Sequence, residues 1–184
     1  YSKKMANNLP FLTSFIPNAL RRDYAKAENA AFNTVLAAAA TASTEIITNK
    51  NKVEMLINEI AKQENLDFPV TAIVLRPTDY YDILKTEKST GAGYGLPGVV
   101  SQENGILRIN GIPLFRATWL AANKYYVGDW TRVTKVTTEG LSLEFSEVEG
   151  TNFVKNNITA RIEAQVALAV EQPAALIFGD FTSV

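Results

Sequence analysis

Three acidic residues close together, Glu144, Glu147 and Glu149, with Asp129 not far ahead of them, are the side chains whose types and spacing could do chemistry. Paired carboxylates serve hydrolysis when one is an acid and the other a base or nucleophile, and they also hold hard cations. On a strand, Glu144 points away from Phe145, while Glu147 and Glu149 fall in the following turn. That spacing also suits a solvated hairpin end, which is the commoner meaning of such a cluster. The remaining chemical inventory is thin. The chain has no Cys and no His, which removes Ser-His-Asp triads, Cys-His dyads, disulfides and most zinc sites. Carboxylates, Lys and Tyr are left as possible catalysts. Gly91-Ala92-Gly93 looks like a phosphate-binding loop, but it lacks the Gly-Lys-Ser/Thr ending and does not join a strand to a helix.

Composition points from enzyme toward a structural or binding protein. The hydrophobic fraction is 47% and the charged fraction 20% of 184 residues, ordinary for a globular chain. Such a length buries roughly 70% of its unfolded surface. Eighteen basic residues against nineteen acidic ones give a net charge of -1. There is no basic stripe or Lys/Arg-rich tail of the kind that grips nucleic acid. The start, Tyr1-Ser-Lys-Lys-Met, has no apolar run behind it and is not a signal peptide. No window of eighteen uninterrupted apolar residues exists to span a membrane. Because the chain does not begin with Met, it is expected to be a processed product or an excised piece.

The elements that must position these residues follow from periodicity. Leu12, Phe15, Ile16, Ala19, Leu20, Tyr24, Ala27, Ala31, Phe32, Val35 and Leu36 form a helical stripe, predicting one long helix over 9–40. Pro10 suits a first turn, and Pro17 predicts a kink or a true start near Asn18. A second helix is expected over 51–64, with Val53, Leu56, Ile57, Ile60 and Ala61 inward and Lys52, Glu54, Asn58 and Gln63 on the wet side. Ala72–Leu75 reads as a buried strand that Pro77 stops, with Thr78 or Asp79 capping a short helix over 80–85. The stretch 86–105 begins with four glycines and one proline in thirteen residues and reads as a loop.

Beyond it the pattern turns to β. Asn110-Gly111 between Ile106–Ile109 and Ile112–Phe115 is a type I′ hairpin signal. Further strands are expected at 124–127, 131–137 and 141–145, with Glu139-Gly140 turning the chain between the last two. From Thr159 to Ala169 apolar Ala160, Ile162, Ala164, Val166 and Leu168 alternate with Arg161, Glu163 and Gln165, the pattern of a long half-buried strand. Pro173 interrupts it and Ala174–Phe178 resumes. Helices followed by mostly antiparallel strands give an α+β class. The long helix and the long late strand are expected to pack across one core.

An ordered set of residues then resembles a known family. Asn152-Phe-Val-Lys-Asn-Asn-Ile-Thr159, Arg161-Ile-Glu163, Pro173-Ala174 and Gly179-Asp-Phe181 resemble the C-terminus of the Hong Kong 97-type major capsid proteins of tailed phages and prophages. Leu9–Ile16 with Arg22, Ala25 and Glu28 resembles the start of that family's spine helix. Ile73–Asp79 resembles its strand-Pro-Asp step, and Gly111-Ile-Pro-Leu114 with Gly128-Asp129 its turn-strand-Gly pattern. The resemblance implies the Hong Kong 97-type fold: a peripheral domain of 1–49 with 133–184, and an axial domain of 50–132. It implies a structural, non-enzymatic subunit that assembles with itself into hexamers and pentamers of an icosahedral shell. Such a subunit encloses DNA without sequence-specific binding, meets a scaffold or protease during assembly, and uses no cofactor, metal or membrane. Its place would be the virion capsid, and its synthesis the host bacterium's cytoplasm. A ring-forming head–tail adaptor and a carboxylate-dependent hydrolase are the alternatives.

The resemblance also implies one reaction. Some members cross-link subunits when a Lys on an extended loop attacks an Asn side chain of a neighbour, helped by a Glu. Asn156 and Glu163 match those positions here. The N-terminal arm and extended loop, which would carry the Lys, precede the spine helix in the family, and this chain starts almost at that helix. The simpler expectation is that Asn156 is a turn residue and that Glu163 pairs with Arg161 or Lys155.

Overall fold

The structure is a computed structural model that describes residues 14–46, 51–85, 98–155 and 157–182. In chain order its elements begin with helix α1 (Ile16–Ala39), strand β1 (Thr41–Ala42), helix α2 (Lys52–Glu64), strand β2 (Ala72–Leu75) and helix α3 (Pro77–Leu84). Strands β3 (Val100–Glu103), β4 (Ile106–Ile109), β5 (Ile112–Arg116) and β6 (Lys124–Gly128) follow. Then come β7 (Val133–Ser146), a single helical turn α4 (Asn152–Lys155), β8 (Thr159–Val170) and β9 (Leu176–Asp180). The chain folds as two compact units. One holds residues 1–32 and 135–169, the other 33–134 and 170–184.

The second unit is built on a seven-stranded sheet in the order β1-β9-β6-β2-β5-β4-β3. β2 lies centrally, parallel to β5 and antiparallel to β6, with all four residues Ala72–Leu75 buried. A strand covered on both faces needs an unbroken apolar run, which is what these residues supply. The Asn110-Gly111 turn joins β4 to β5 with φ of 49° and 83°, the two positive values that a type I′ turn requires. Asn104-Gly105 repeats the device between β3 and β4, with φ of 50° and 77°. The expected loop 86–105 is therefore corrected over its last part, where β3 pairs along β4. Its glycine-rich part, including Gly91-Ala92-Gly93, lies outside the described residues.

Helix α2 is set by a reciprocal cap. Asn51 Oδ1 accepts from the Glu54 amide and Glu54 Oε2 from the Asn51 amide, both at 2.9 Å, an arrangement worth about 1 kcal/mol. The helix buries Val53, Met55, Leu56, Glu59, Ile60 and Gln63. Gln63, expected on the wet side, is wholly buried because it falls one turn after Glu59 on the face against the sheet. Helix α3 begins at Pro77, which preorganises its first turn while holding Arg76 extended. Asp79 does not cap it. Its carboxylate instead accepts from Lys52 Nζ at 2.6 Å and from the Asn123 amide at 2.9 Å.

The core lies in this unit. Val53, Leu56, Ile73, Leu75, Ile83, Leu107, Ile109, Leu114, Tyr125, Val127 and Phe181 belong to one buried cluster, and each fully buried side chain of this size contributes about 1.5–3 kcal/mol. The cluster holds no residue of α1 or β8; the first part of α1 and β8 belong together to the other unit, where Tyr24 lines one hollow with Ile162, Ala164 and Gln165. β9 belongs to the sheet because it is hydrogen-bonded to β6 from Leu176 to Asp180. The described residues 33–46 and 170–182 belong to the same compact unit as the sheet.

The first unit contains the start of α1 and a two-stranded ribbon of β7 and β8. Pro17 is the second residue of α1, which follows directly on a π-helical stretch at Ser14 and Phe15. β7 runs unbroken for 14 residues. The turn expected at Glu139-Gly140 is corrected: Gly140 has an ordinary strand φ and open space at its Cα. β8 keeps the expected alternation, its odd positions exposed and its even positions partly covered from Arg161 onward. Side-chain bonds pair 144 with 161 and 142 with 163, so one strand descends as the other rises and the ribbon is antiparallel.

Candidate functional site

Asp129 and the three glutamates belong to different compact units. Asp129 is in the second unit, 2% exposed. Its Oδ1 accepts from the Thr131 amide at 3.0 Å and the Thr131 hydroxyl at 2.6 Å, capping the turn Trp130–Arg132. Glu144, Glu147 and Glu149 are in the first unit. Among the described residues no three acidic side chains are placed to hold a metal ion.

The ribbon face has its own geometry. Arg161 on β8 donates from Nη2 to Glu144 Oε2 at 2.7 Å, and its Nη1 lies 3.2 Å from Glu163 Oε1. All three side chains are more than half exposed. The hydrogen bond to Glu144, then the charge of Glu163, raises the already high pKa of the Arg161 guanidinium. Glu144, Phe145, Ser146, Glu149, Thr159 and Arg161 line a shallow hollow of about 270 Å³ beside this pair. A guanidinium between two carboxylates makes an ion-paired, solvated ribbon face.

Glu163 is therefore paired with Arg161, one of the two partners expected for it. Asn156 lies outside the described residues. Around it the hairpin end is held by Asn152, whose Nδ2 donates to Thr159 Oγ1 at 2.7 Å and whose carbonyl accepts the Asn157 amide at 2.9 Å. Val148, Phe153 and Val154 stand 80%, 78% and 86% exposed at this end, far more than apolar side chains of their size usually show. No residue of β7 or β8 is buried.

Sequence reasoning missed two polar clusters in the second unit. One is Lys52 between Asp79 and Asp82, at 2.6 and 2.9 Å. Burial pulls the Lys52 pKa down, but the two carboxylates prevail and hold it raised. The other is Glu59, wholly buried, whose Oε1 accepts from the Ser43 and Tyr125 hydroxyls. Burial, reinforced by the charge of Glu59, pushes the Tyr125 phenol well above its usual range. The usable signal was spacing: Glu59 and Gln63 follow Leu56 by three and seven positions, inside the apolar stripe of α2.

The comparisons with known proteins agree with this architecture. The major capsid protein of Enterobacteria phage HK97 is 26% identical over 196 residues, covering 99% of this chain and 50% of that protein. The chain thus spans about half the length of this curated relative. A solved chain of Mycobacterium phage Che8 matches with a TM-score of 0.64 at 13% identity, covering 96% of this chain and 65% of that one. The virus-like particle from Pyrococcus furiosus matches with a TM-score of 0.57 at 13% identity, over 85% of this chain and 63% of that one. At such identities the likeness shows the fold. The phage capsid family model matches residues 1–181, and the chain belongs to that family.

Proposed function

We propose that the chain is a structural, non-catalytic subunit that assembles with copies of itself into hexamers and pentamers of an icosahedral shell. The observation that carries this reading is the ribbon. Strands of 14 and 12 residues bury no side chain within the subunit, and a two-stranded hairpin is at best marginally stable alone. Val136, Leu141, Phe145, Val148, Phe153 and Val154 along it are 45–86% exposed. Contiguous exposed apolar side chains mark interaction surfaces, and side-to-side contacts of one kind close into rings. Membership of the phage capsid family supports the same conclusion.

In this reading the first compact unit takes the peripheral role and the sheet unit the axial role around the capsomer centre. The shell encloses DNA without reading its sequence, consistent with a net charge of -1. A scaffold or protease acts during assembly, which takes place in the host bacterium's cytoplasm, and the product resides in the virion. Glu163 would assist a cross-link at Asn156 only after leaving Arg161. The test is electron microscopy and sedimentation of the full-length gene product. Closed shells support the reading. Flat rings would favour a head–tail adaptor, and monomer alone at high concentration would refute assembly. A calorimetric titration with divalent metal ions checks the hydrolase alternative, for which no heat of binding is expected.

A further inference from the structure

Two turns of the sheet unit carry the same three residues, Asn104-Gly105-Ile106 and Asn110-Gly111-Ile112. In an Asn-Gly pair the asparagine side chain is open to attack by the next backbone nitrogen, because glycine puts no side chain in the way. Both turns are exposed, and a Cβ built at either glycine meets nothing within 4 Å. A tetrahedral intermediate therefore has room at both. Neither the Gly105 nor the Gly111 amide donates a hydrogen bond among the described residues, so both nitrogens are available as nucleophiles.

The turn conformation prepares the attack. Asn104 has a φ of 50° and Asn110 one of 49°. Turn types I′ and II′ share a positive φ at the first central residue and differ at the second. Rotating the peptide that joins asparagine to glycine converts one type into the other and leaves the strands in place, since both types fit a hairpin. That rotation brings the glycine nitrogen round to face the asparagine Cγ. Hydroxide removes the glycine N–H proton, and the nitrogen bonds to Cγ. The Cγ–Nδ2 bond then breaks, and Nδ2 takes a proton from water and leaves as ammonia. Water opens the resulting succinimide ring at either carbonyl. The products are Asp and isoaspartate, in which the main chain runs through the side-chain carboxyl.

What separates the two turns is their anchoring. The Asn110 amide donates to the Val99 carbonyl at 3.0 Å, and Arg108 Nη1 donates to the Gly111 carbonyl at 2.9 Å, so this turn is held at both central residues. The first turn is held on one side only. Tyr80 Oη donates to the Gly105 carbonyl at 3.2 Å and accepts from the Leu107 amide at 2.9 Å, while the Asn104 amide donates to nothing among the described residues. Asn104 also follows β3, of whose four residues only Val100 is buried. Asn110 instead joins the wholly buried Ile109 to β5, which is itself paired with β2. The Glu103 carboxylate opposes loss of a proton at Gly105, but Arg108 Nε stands 3.1 Å from its Oε2 and offsets that charge. We propose that Asn104 is a site of spontaneous deamidation, with the Gly105 nitrogen as its nucleophile, and that Asn110, in the same tripeptide, is protected by its bond to Val99 and by Arg108.

The test is incubation of the folded 184-residue chain in mildly alkaline buffer, with a parallel sample in guanidinium chloride. Trypsin, cutting after Lys88, Arg108 and Arg116, places Asn104 and Asn110 on separate peptides that hold no other asparagine. Mass spectrometry reads the conversion of amide to acid in each, fragment spectra separate Asn104 from Gln102, and chromatography resolves Asp from isoaspartate. In the folded chain Asn104 should react about fivefold faster than Asn110, the worth of one hydrogen bond, with isoaspartate among its products. In guanidinium chloride, where both lie in an unfolded Asn-Gly-Ile, the two rates should converge. Equal rates in the folded chain, a faster Asn110, or a folded chain inert at both positions while the unfolded sample reacts would overturn the proposal. So would a difference that persists in guanidinium chloride, because its cause would then be local sequence and not the fold.

Discussion

Gly128 is where the sheet unit tolerates no side chain, and Gly128→Ala tests the packing directly. A Cβ built there falls 2.1 Å from the Ala175 carbonyl oxygen and 2.9 Å from Leu176 Cα, at a φ of +156°. The obstacle is backbone, and it is already committed. The Ala175 carbonyl accepts the Asp129 amide at 2.8 Å, and the Gly128 carbonyl accepts the Thr71 amide at 3.0 Å. Relief therefore means moving β9 away from β6 by about 1 Å. Overpacking of this kind costs typically 1–3 kcal/mol, and losing the Asp129–Ala175 bond adds about 1 kcal/mol. A total of about 2–4 kcal/mol lowers Tm by about 4–16 °C in a domain of this size. The paired variant is Gly140→Ala, inside β7 with open space at its Cα and no positive φ. Alanine there should be neutral or stabilise by up to about 1 kcal/mol. Thermal unfolding by circular dichroism reads both. A Gly128→Ala protein within 2 °C of the parent (roughly 1 kcal/mol or less) would refute the packing argument. A Gly140→Ala penalty equal to that of Gly128→Ala would show that the chain turns at 139–140 after all.

Two other perturbations have worked signs. Asp79→Asn removes the charge that Lys52 and the Asn123 amide share at 2.6 and 2.9 Å; with Lys52 still held by Asp82, the loss in urea unfolding should be about 2–3 kcal/mol, and no loss would sink the buried-pair assignment. Partial burial works against the charge on Asp180, yet the Lys124 ammonium and the Thr182 hydroxyl and amide hold its carboxyl down at about 2. A folded-state pKa below the unfolded one adds stability above pH 4 or so, and that stability fades as pH falls from about 4 to about 2. Asp180→Asn should flatten the Tm-versus-pH curve across this window, and an unchanged slope would contradict the pairing.

Much of the architecture was legible wherever the signal is local. The alternation from Ala160 to Leu168 follows from the two-residue period of a strand, and Ala72–Leu75 announces burial by having no polar member. Asn110-Gly111 specifies its own turn through backbone energetics that need no distant partner. The same chemistry at Asn104-Gly105 was present in the sequence, but the glycine-rich run ahead of it masked β3 as loop. Glu139-Gly140 misled for the opposite reason: a Glu-Gly pair permits a turn without requiring one, and pairing along β8 carried the strand through it.

The polar constellations belong to tertiary structure. Asp79 could serve as a helix cap on local grounds. Its true partners, Lys52 and the Asn123 amide, lie 27 and 44 residues away and are delivered by folding. Gln63 is polar enough to be read as the wet side of a helix, yet in the fold it is wholly buried, with its Nε2 on the Ala174 carbonyl. Asp129 and the Glu144–Glu149 run look like one acidic cluster until the chain places them in different compact units. Propensity and periodicity act over a few residues, so they could say which segments are helix or strand. Which charges end up buried together depends on contacts between segments far apart in the chain, and only the packed fold brings those into being.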